Sequence, residues 1–231
     1  AEVSGVSPKW GDKLGGANVT IFGDGFNEQL GYQCVFTNGT ASQSAQALTV
    51  NRTVVTCDMA PMWSDVDSKA YSTKSTTVEL LESGDVVLRN ASTDGRFDFV
   101  FVNKAPSFDA ASFTMSGANT DQVYNEPFVV SSCGGTMPDG TCAVDETSQV
   151  LTYHVEASQP DFFSVQPAVS STMGNISFTL KADRVGIVSF EVWVQDDGGT
   201  AYGGLDRSGV QSYFVDISST PSAPDIVLAG G

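Results

Sequence analysis

Apolar residues recur at every second position through much of this chain. Phe97, Phe99 and Phe101 share one face of RFDFVFV, and Leu151, Tyr153 and Val155 share one face of LTYHV. Val188, Phe190, Val192 and Val194 do the same in VSFEVWV, as do Tyr213, Val215 and Ile217 in YFVDI. The stretches NVTIF and NISFTL turn Val19, Ile21, Ile176, Phe178 and Leu180 inward. A period of two is the signature of half-buried strands. No window of a dozen residues carries a capped apolar stripe of period 3.6, so helix is expected only as short turns. Glycine and proline break the strands at short intervals, as in SPKWGDKLGG, FGDGF, ESGD, TDGR and DDGG, which is the punctuation of antiparallel hairpins stacked as sandwiches. The strongest internal boundary is VNKAPSF, where a phenylalanine-rich strand ends and Pro106 forbids simple continuation of the sheet. The pattern predicts an all-β chain of two tandem antiparallel β-sandwiches, residues 1–102 and 103–219. A linker-like tail, 220–231, follows in the Pro/Ser-rich context SSTPSAPD.

Composition narrows what such a chain does. It has 231 residues, 41% of them hydrophobic and 16% charged, enough apolar material for packed cores. Acidic residues number 27 against 11 basic ones, a formal net charge of -16. Nucleic-acid affinity depends on Lys and Arg displacing condensed counterions, so a nucleic-acid partner is not expected. No run approaches the roughly 20 apolar residues of a membrane-spanning helix, and no membrane contact is expected from this segment. The chain starts at Ala1, has no charged-then-apolar leader and reaches strand-like sequence by Val3, which reads as a mature or excised piece.

The four cysteines, Cys34, Cys57, Cys133 and Cys142, permit three pairings, and sequence alone does not choose between them. Proximity suggests Cys34 with Cys57 and Cys133 with Cys142. There is no CxxC spacing and only one histidine, so disulfides are expected rather than a zinc site. Five of the nine asparagines open an N-x-Ser/Thr triplet: Asn18, Asn38, Asn51, Asn90 and Asn175. Ser and Thr fill about a fifth of the chain, so chance gives about two such triplets. The excess, together with the cysteines, points to N-linked glycans on an extracellular or cell-surface glycoprotein.

The stretch QDDGGTAYGGLDRS, 195–208, is the one acidic constellation. Asp196, Asp197 and Asp206 are candidate calcium ligands, with Asp145 or Glu146 approaching from another loop. The spacing does not match an EF-hand, and adjacent aspartates on an extended chain point to opposite faces. The competing reading is a glycine-permitted turn whose aspartates satisfy nearby backbone N–H groups. No other cofactor is implied. The single histidine, His154, alternates outward as a polar face residue. GxSxG, HExxH and GxxxxGK motifs do not occur, and a non-enzymatic role is expected. In CDMAPMWSDVDSKAY, Met59, Met62, Trp63 and Tyr71 lie in a stretch of poor alternation. Met62 and Trp63 are candidates for a contact surface, against the alternative that they fold back and plug the end of a sandwich.

Residues VSGVSPKWGDKLGGANVTIFGDGF, then CVF at Cys34 and TCDMAP at Cys57, resemble an IPT/TIG domain, an immunoglobulin-like sandwich of plexins, receptor kinases, Rel-type transcription factors and extracellular repeat proteins. NKAPSF, FFSVQPAVS, GNISFTL and VWVQDDGGTAYGGLDRS resemble a cadherin-like or bacterial-type Ig-like repeat. These resemblances imply that both sandwiches are immunoglobulin-like and that the second belongs to a tandem surface array. Cadherin linkers carry acidic residues just before the proline; Lys104 stands there in this chain, which speaks against an interdomain calcium cluster. The expected role is a rigid spacer, adhesive segment or assembly module, as in a filament or flagellar hair, with other modules of the same protein or neighbouring copies as partners. The alternatives are a carbohydrate-binding accessory region of a larger enzyme, with Trp10, Trp63, Trp193 and Tyr202 stacking on sugar rings, or a receptor ectodomain.

Overall fold

A computed structural model of the chain describes residues 2–39, 41–58, 60–63, 65–66, 72–82, 85–88, 95–111, 114–116, 123–182 and 184–217. The chain divides into two units. The first comprises residues 1–103 together with 198–204, and the second comprises 104–197 and the chain from 205 onward. The tail 220–231, Asn90, Met59 and Tyr71 lie outside the described residues.

The first unit contains β1 (Glu2–Ser7), β2 (Trp10–Asp12), β3 (Val19–Asp24), β4 (Tyr32–Asn38), β5 (Ala41–Val50), β6 (Val54–Cys57), β7 (Thr73–Glu82), β8 (Asp85–Leu88) and β9 (Arg96–Val100). Their order is β1-β3-β6-β5-β4-β7-β9-β2, with β8 beside β7. Strand β5 joins two sheets: residues 41–46 pair with β4, and from Ala47 onward it pairs with β6, with an irregularity between Ala47 and Thr49. The chain start is likewise split, with β1 antiparallel to β3 and β2 parallel to β9. The turn after β2 needs glycine. Gly15 has φ of 82°, and a Cβ there would lie 2.5 Å from the Ala60 carbonyl oxygen.

Alternation places the core as the sequence predicts. Val19, Ile21, Phe36, Phe97 and Phe99 are buried, and Phe36, Phe97 and Phe99 meet edge to face at centroid distances of 4.9–5.5 Å. Cys34 on β4 is bonded to Cys57 on β6, so the bridge crosses the core between the two sheets; both sulfurs' residues are fully buried.

The second unit contains β10 (Ser107–Ala110), β11 (Thr114–Ser116), β12 (Val123–Pro127), β13 (Val129–Cys133), β14 (Thr152–Ala157), β15 (Phe163–Val169), β16 (Asn175–Leu180), β17 (Gly186–Gln195) and β18 (Gln211–Ile217). One sheet runs β11-β18-β17-β14, a second runs β12-β16-β15, and β10 pairs with β13. Ile176, Phe178, Leu180, Val188, Phe190, Val192, Val194, Val215 and Ile217 form the core, as their period of two predicts. Phe163, Phe178 and Phe190 join the two sheets at 5.6–5.7 Å between ring centroids. Among the described residues, the helical elements noted are single 3-10 turns, Pro160–Phe162 and Ala201–Gly203. The architecture is all-β and immunoglobulin-like.

Candidate functional site

Each candidate residue is placed by the strand or turn that carries it. The expectation that Trp63 forms part of a contact surface is corrected by its burial. It is 3% exposed, its ring lies 5.4 Å from Phe99, and the Lys74 ammonium sits 5.7 Å above it. The backbone enforces this, because Trp63 N–H donates to the Lys13 carbonyl and pins the segment across the end of the sandwich. Trp63 is a plug. Met62, its neighbour, is 54% exposed and stays outside.

The three aspartates of the 195–208 stretch are placed in separate local roles. Asp197 Oδ1 accepts from Val150 N–H at 2.9 Å, and Asp206 Oδ2 accepts from Gln195 Nε2 at 3.0 Å. Asp196 is buried, and its N–H donates to the Asp206 carbonyl. Among the described residues, no three acidic, histidine or cysteine side chains converge as a metal-binding group. Two of the carboxylates are thus committed, one to the backbone N–H of Val150 in another segment and one to the side-chain amide of Gln195.

Glu146, offered by the sequence as a further calcium ligand, has another partner. Its side chain is fully buried, and its carboxylate accepts from Lys104 N–H at 3.3–3.4 Å and from Lys104 Nζ at 3.3 Å. Gly134 and Gly135 make room for it: a Cβ on Gly135 would overlap the carboxylate, and one on Gly134 would overlap the Glu146 carbonyl. The second disulfide, Cys133–Cys142, sets this pocket, because it closes the loop whose first residues are those glycines. Desolvation pushes the Glu146 carboxyl above its ordinary range, Lys104 pulls it down, and Asp145 adds a further upward push. Lys104 is therefore the half-buried cation that faces this buried carboxylate. A lone glutamate in a loop gives no sequence signal; only the Gly-Gly pair after Cys133 hinted at a close approach.

His154 is half-buried rather than an open face residue. It stands directly opposite Trp193 across β14 and β17, and the two rings stack at 5.2 Å and 8°. Arg207 lies 4.2 Å from the same indole centroid. Trp193 is thus covered by its own neighbours. In the first unit, Trp10 and Tyr202 are 41% and 38% exposed, with centroids 5.2 Å apart. Tyr202 holds φ of 55°, a left-handed backbone rare outside glycine.

Four sequon asparagines fall in the described residues. Asn18 is exposed. Asn51 is exposed, and its Oδ1 accepts from Thr53 N, Thr53 Oγ1 and Val54 N at 2.8–3.2 Å. Asn38 Nδ2 donates to the Ser75 carbonyl at 2.6 Å, and Asn175 Nδ2 donates to Asn125 Oδ1 at 3.2 Å.

The split first strand, the strand shared between sheets and the buried bridge from β4 to β6 coincide with a match to a known family. Residues 1–94 match the IPT/TIG domain. The IPT/TIG match ends before the last strand of the first unit, β9, and takes in the Cys34–Cys57 bridge. No curated protein matches the chain. Among solved structures, human protocadherin-24 EC1-2 is similar at 13% identity, with 95% of this chain and 98% of that chain covered and a TM-score of 0.43. A second crystal form of the same protein gives 13% identity, 84% of each chain and a TM-score of 0.39. The plexin A4 full extracellular region is similar at 13% identity over 86% of this chain, with a TM-score of 0.33; the chain spans 14% of that region.

Proposed function

We propose that this chain is a non-enzymatic structural or adhesive segment of a secreted or cell-surface glycoprotein, acting as a rigid spacer or assembly module. The observation that carries the reading is that each unit has its own aromatic core and its own disulfide, in a chain whose first 94 residues match the IPT/TIG domain. Two oxidised bridges fit an extracellular setting, because cytosolic thiols are kept reduced. The candidate polar residues are spent on local structure, which supports a role in architecture over one in chemistry. Neighbouring copies or other modules of the parent protein are its partners, and N-linked glycans on its sequons complete the surface.

Imaging the parent protein in its native assembly tests this. The expected result is a pair of small bodies within a linear projection or array, with both disulfides intact by non-reducing peptide mapping. Free thiols in native material would overturn it.

The reading as a carbohydrate-binding accessory region keeps one specific support. Of the four aromatics it invokes, Trp63 is buried and Trp193 is covered, while Trp10 and Tyr202 form an exposed pair. Saturable binding on a glycan array, lost in Trp10→Ala, would favour it; a spacer gives none.

A further inference from the structure

A cleft of about 580 Å³ lies in the first unit, where the end of β4 meets the first half of β7 and the start of β9. Thr37, Asn38, Ser75, Thr77 and Arg96 line it with hydroxyl, amide and guanidinium groups. Its size is within the range of about 300–1,000 Å³ typical of small-molecule sites, and it sets these polar groups among a larger apolar area, the pairing of polar edge and apolar face that a sugar ring presents. A lining of this kind suits a polyol. One wall of the cleft is itself a sequon asparagine.

We propose that the cleft seats the first sugars of a glycan carried by Asn38. The inference rests on the glycoprotein reading above and adds to it a docking site. Attachment forms a bond from Asn38 Nδ2 to the anomeric carbon of an N-acetylhexosamine. The bond from that carbon to a pyrophosphate leaving group on a lipid-linked glycosyl donor breaks, Nδ2 loses one proton, and no electrons change hands. Nδ2 carries two hydrogens; after substitution one remains for the Ser75 carbonyl, 2.6 Å away, so the contact that fixes the asparagine is compatible with the linkage.

The polar groups of the cleft are arranged to meet a sugar. Arg96 donates through Nε to Asp98 Oδ1 at 2.9 Å and through Nη2 to Ser75 Oγ. A guanidinium has five N–H donors in a fixed fork, so these described bonds leave three for an acetamido carbonyl and ring hydroxyls. Thr77 Oγ1 donates to the Thr37 carbonyl at 3.3 Å and keeps its lone pairs for a sugar hydroxyl. The other described sequons lie elsewhere: Asn18 and Asn51 are exposed, and Asn175 stands on β16 opposite Pro127. Among the described sequon asparagines, Asn38 is therefore the one that lines this cleft.

The full chain, secreted from a eukaryotic host, is treated without denaturant with an amidase that hydrolyses the Cγ–Nδ2 amide of glycosylated asparagine, leaving aspartate and releasing the glycan as its glycosylamine, and conversion is followed at each site by peptide mass spectrometry. Asn38 is expected to be occupied and to release its glycan about tenfold or more slowly than Asn18 and Asn51, because cleavage there waits for local opening. Arg96→Ala is expected to bring Asn38 to the rate of the exposed sites. Thr77→Ala, a smaller change, is expected to accelerate release at Asn38 alone. An unoccupied Asn38 beside occupied Asn18 and Asn51, equal release rates at all three, or protection unchanged in both variants would overturn the docking. Absence of sugar at every sequon would instead defeat the glycoprotein reading itself, and the docking with it.

Discussion

Replacing Lys104 with methionine removes the cation and keeps the aliphatic stem, leaving Glu146 in place. The Glu146 side chain is 0% exposed and that of Lys104 16%, so the carboxylate has no route to water in the intact loop. Removing one partner of a buried ion pair costs about 3–5 kcal/mol, because the other charge is stranded. For a unit of this size that lowers the melting temperature by about 12 °C or more. Burial raises the Glu146 carboxyl above its ordinary value of 4.5, so the folded state holds its proton to higher pH than the unfolded chain does. A carboxyl raised in this way contributes stability that is fully present below pH 4.5 and is lost as pH rises through the folded value. In Lys104→Met the opposing pull of the ammonium is gone and the folded value rises further. The loss is therefore largest at neutral pH and shrinks as acid neutralises the carboxyl. Glu146→Gln in the Lys104→Met background keeps shape and removes the charge, and is expected to recover most of the stability at neutral pH. Denaturant unfolding of the full chain at neutral pH and near pH 4.5, followed through the second unit's transition, measures all three variants. A Lys104→Met loss that does not change with pH, or a double variant no more stable than Lys104→Met, would refute the account of Lys104 as the neutralising cation.

Trp63→Ala is expected to destabilise the first unit by about 3–5 kcal/mol, while Met62→Ala stays within about 0.5 kcal/mol of wild type, both read from thermal unfolding. Replacing Cys34 and Cys57 together with alanine releases a loop of sequence separation 23 and is expected to cost about 3 kcal/mol or more, measured by denaturant unfolding under oxidising conditions. Asp197→Ala frees the Val150 N–H and is expected to cost about 1 kcal/mol, with calcium leaving the melting temperature of wild type and variant alike unchanged.

The strands whose side chains alternate strictly, such as β16 and β17, could be read from the sequence residue by residue, because one face of each packs on a core. Strand β5, ASQSAQALTV, could not. Its residues are mostly small or polar, and its partner changes halfway along, so neither face keeps a continuous apolar set. The three-residue β2 was hidden for a different reason: it is defined by parallel pairing to β9, a contact across more than 80 residues that no local pattern encodes. Cysteine proximity suggested both bridges, since short loops close most readily. The Lys104–Glu146 pair was invisible, its partners lying 42 residues apart in segments without periodicity. Met62 and Trp63 show the limit of composition: adjacent residues of the kind found at contact surfaces, one outside and one inside, separated only by which backbone group reached the Lys13 carbonyl.

In each unit a strand near the start runs parallel to the last one: β2 beside β9, and β11 beside β18. Tension pulling the two ends of a unit apart drags such partners in opposite directions along their common axis. Their ladder bonds are then strained together, whereas an antiparallel hairpin pulled open at its free end loses them one after another. Under such tension each unit's margin takes the load before the aromatic interior is disturbed.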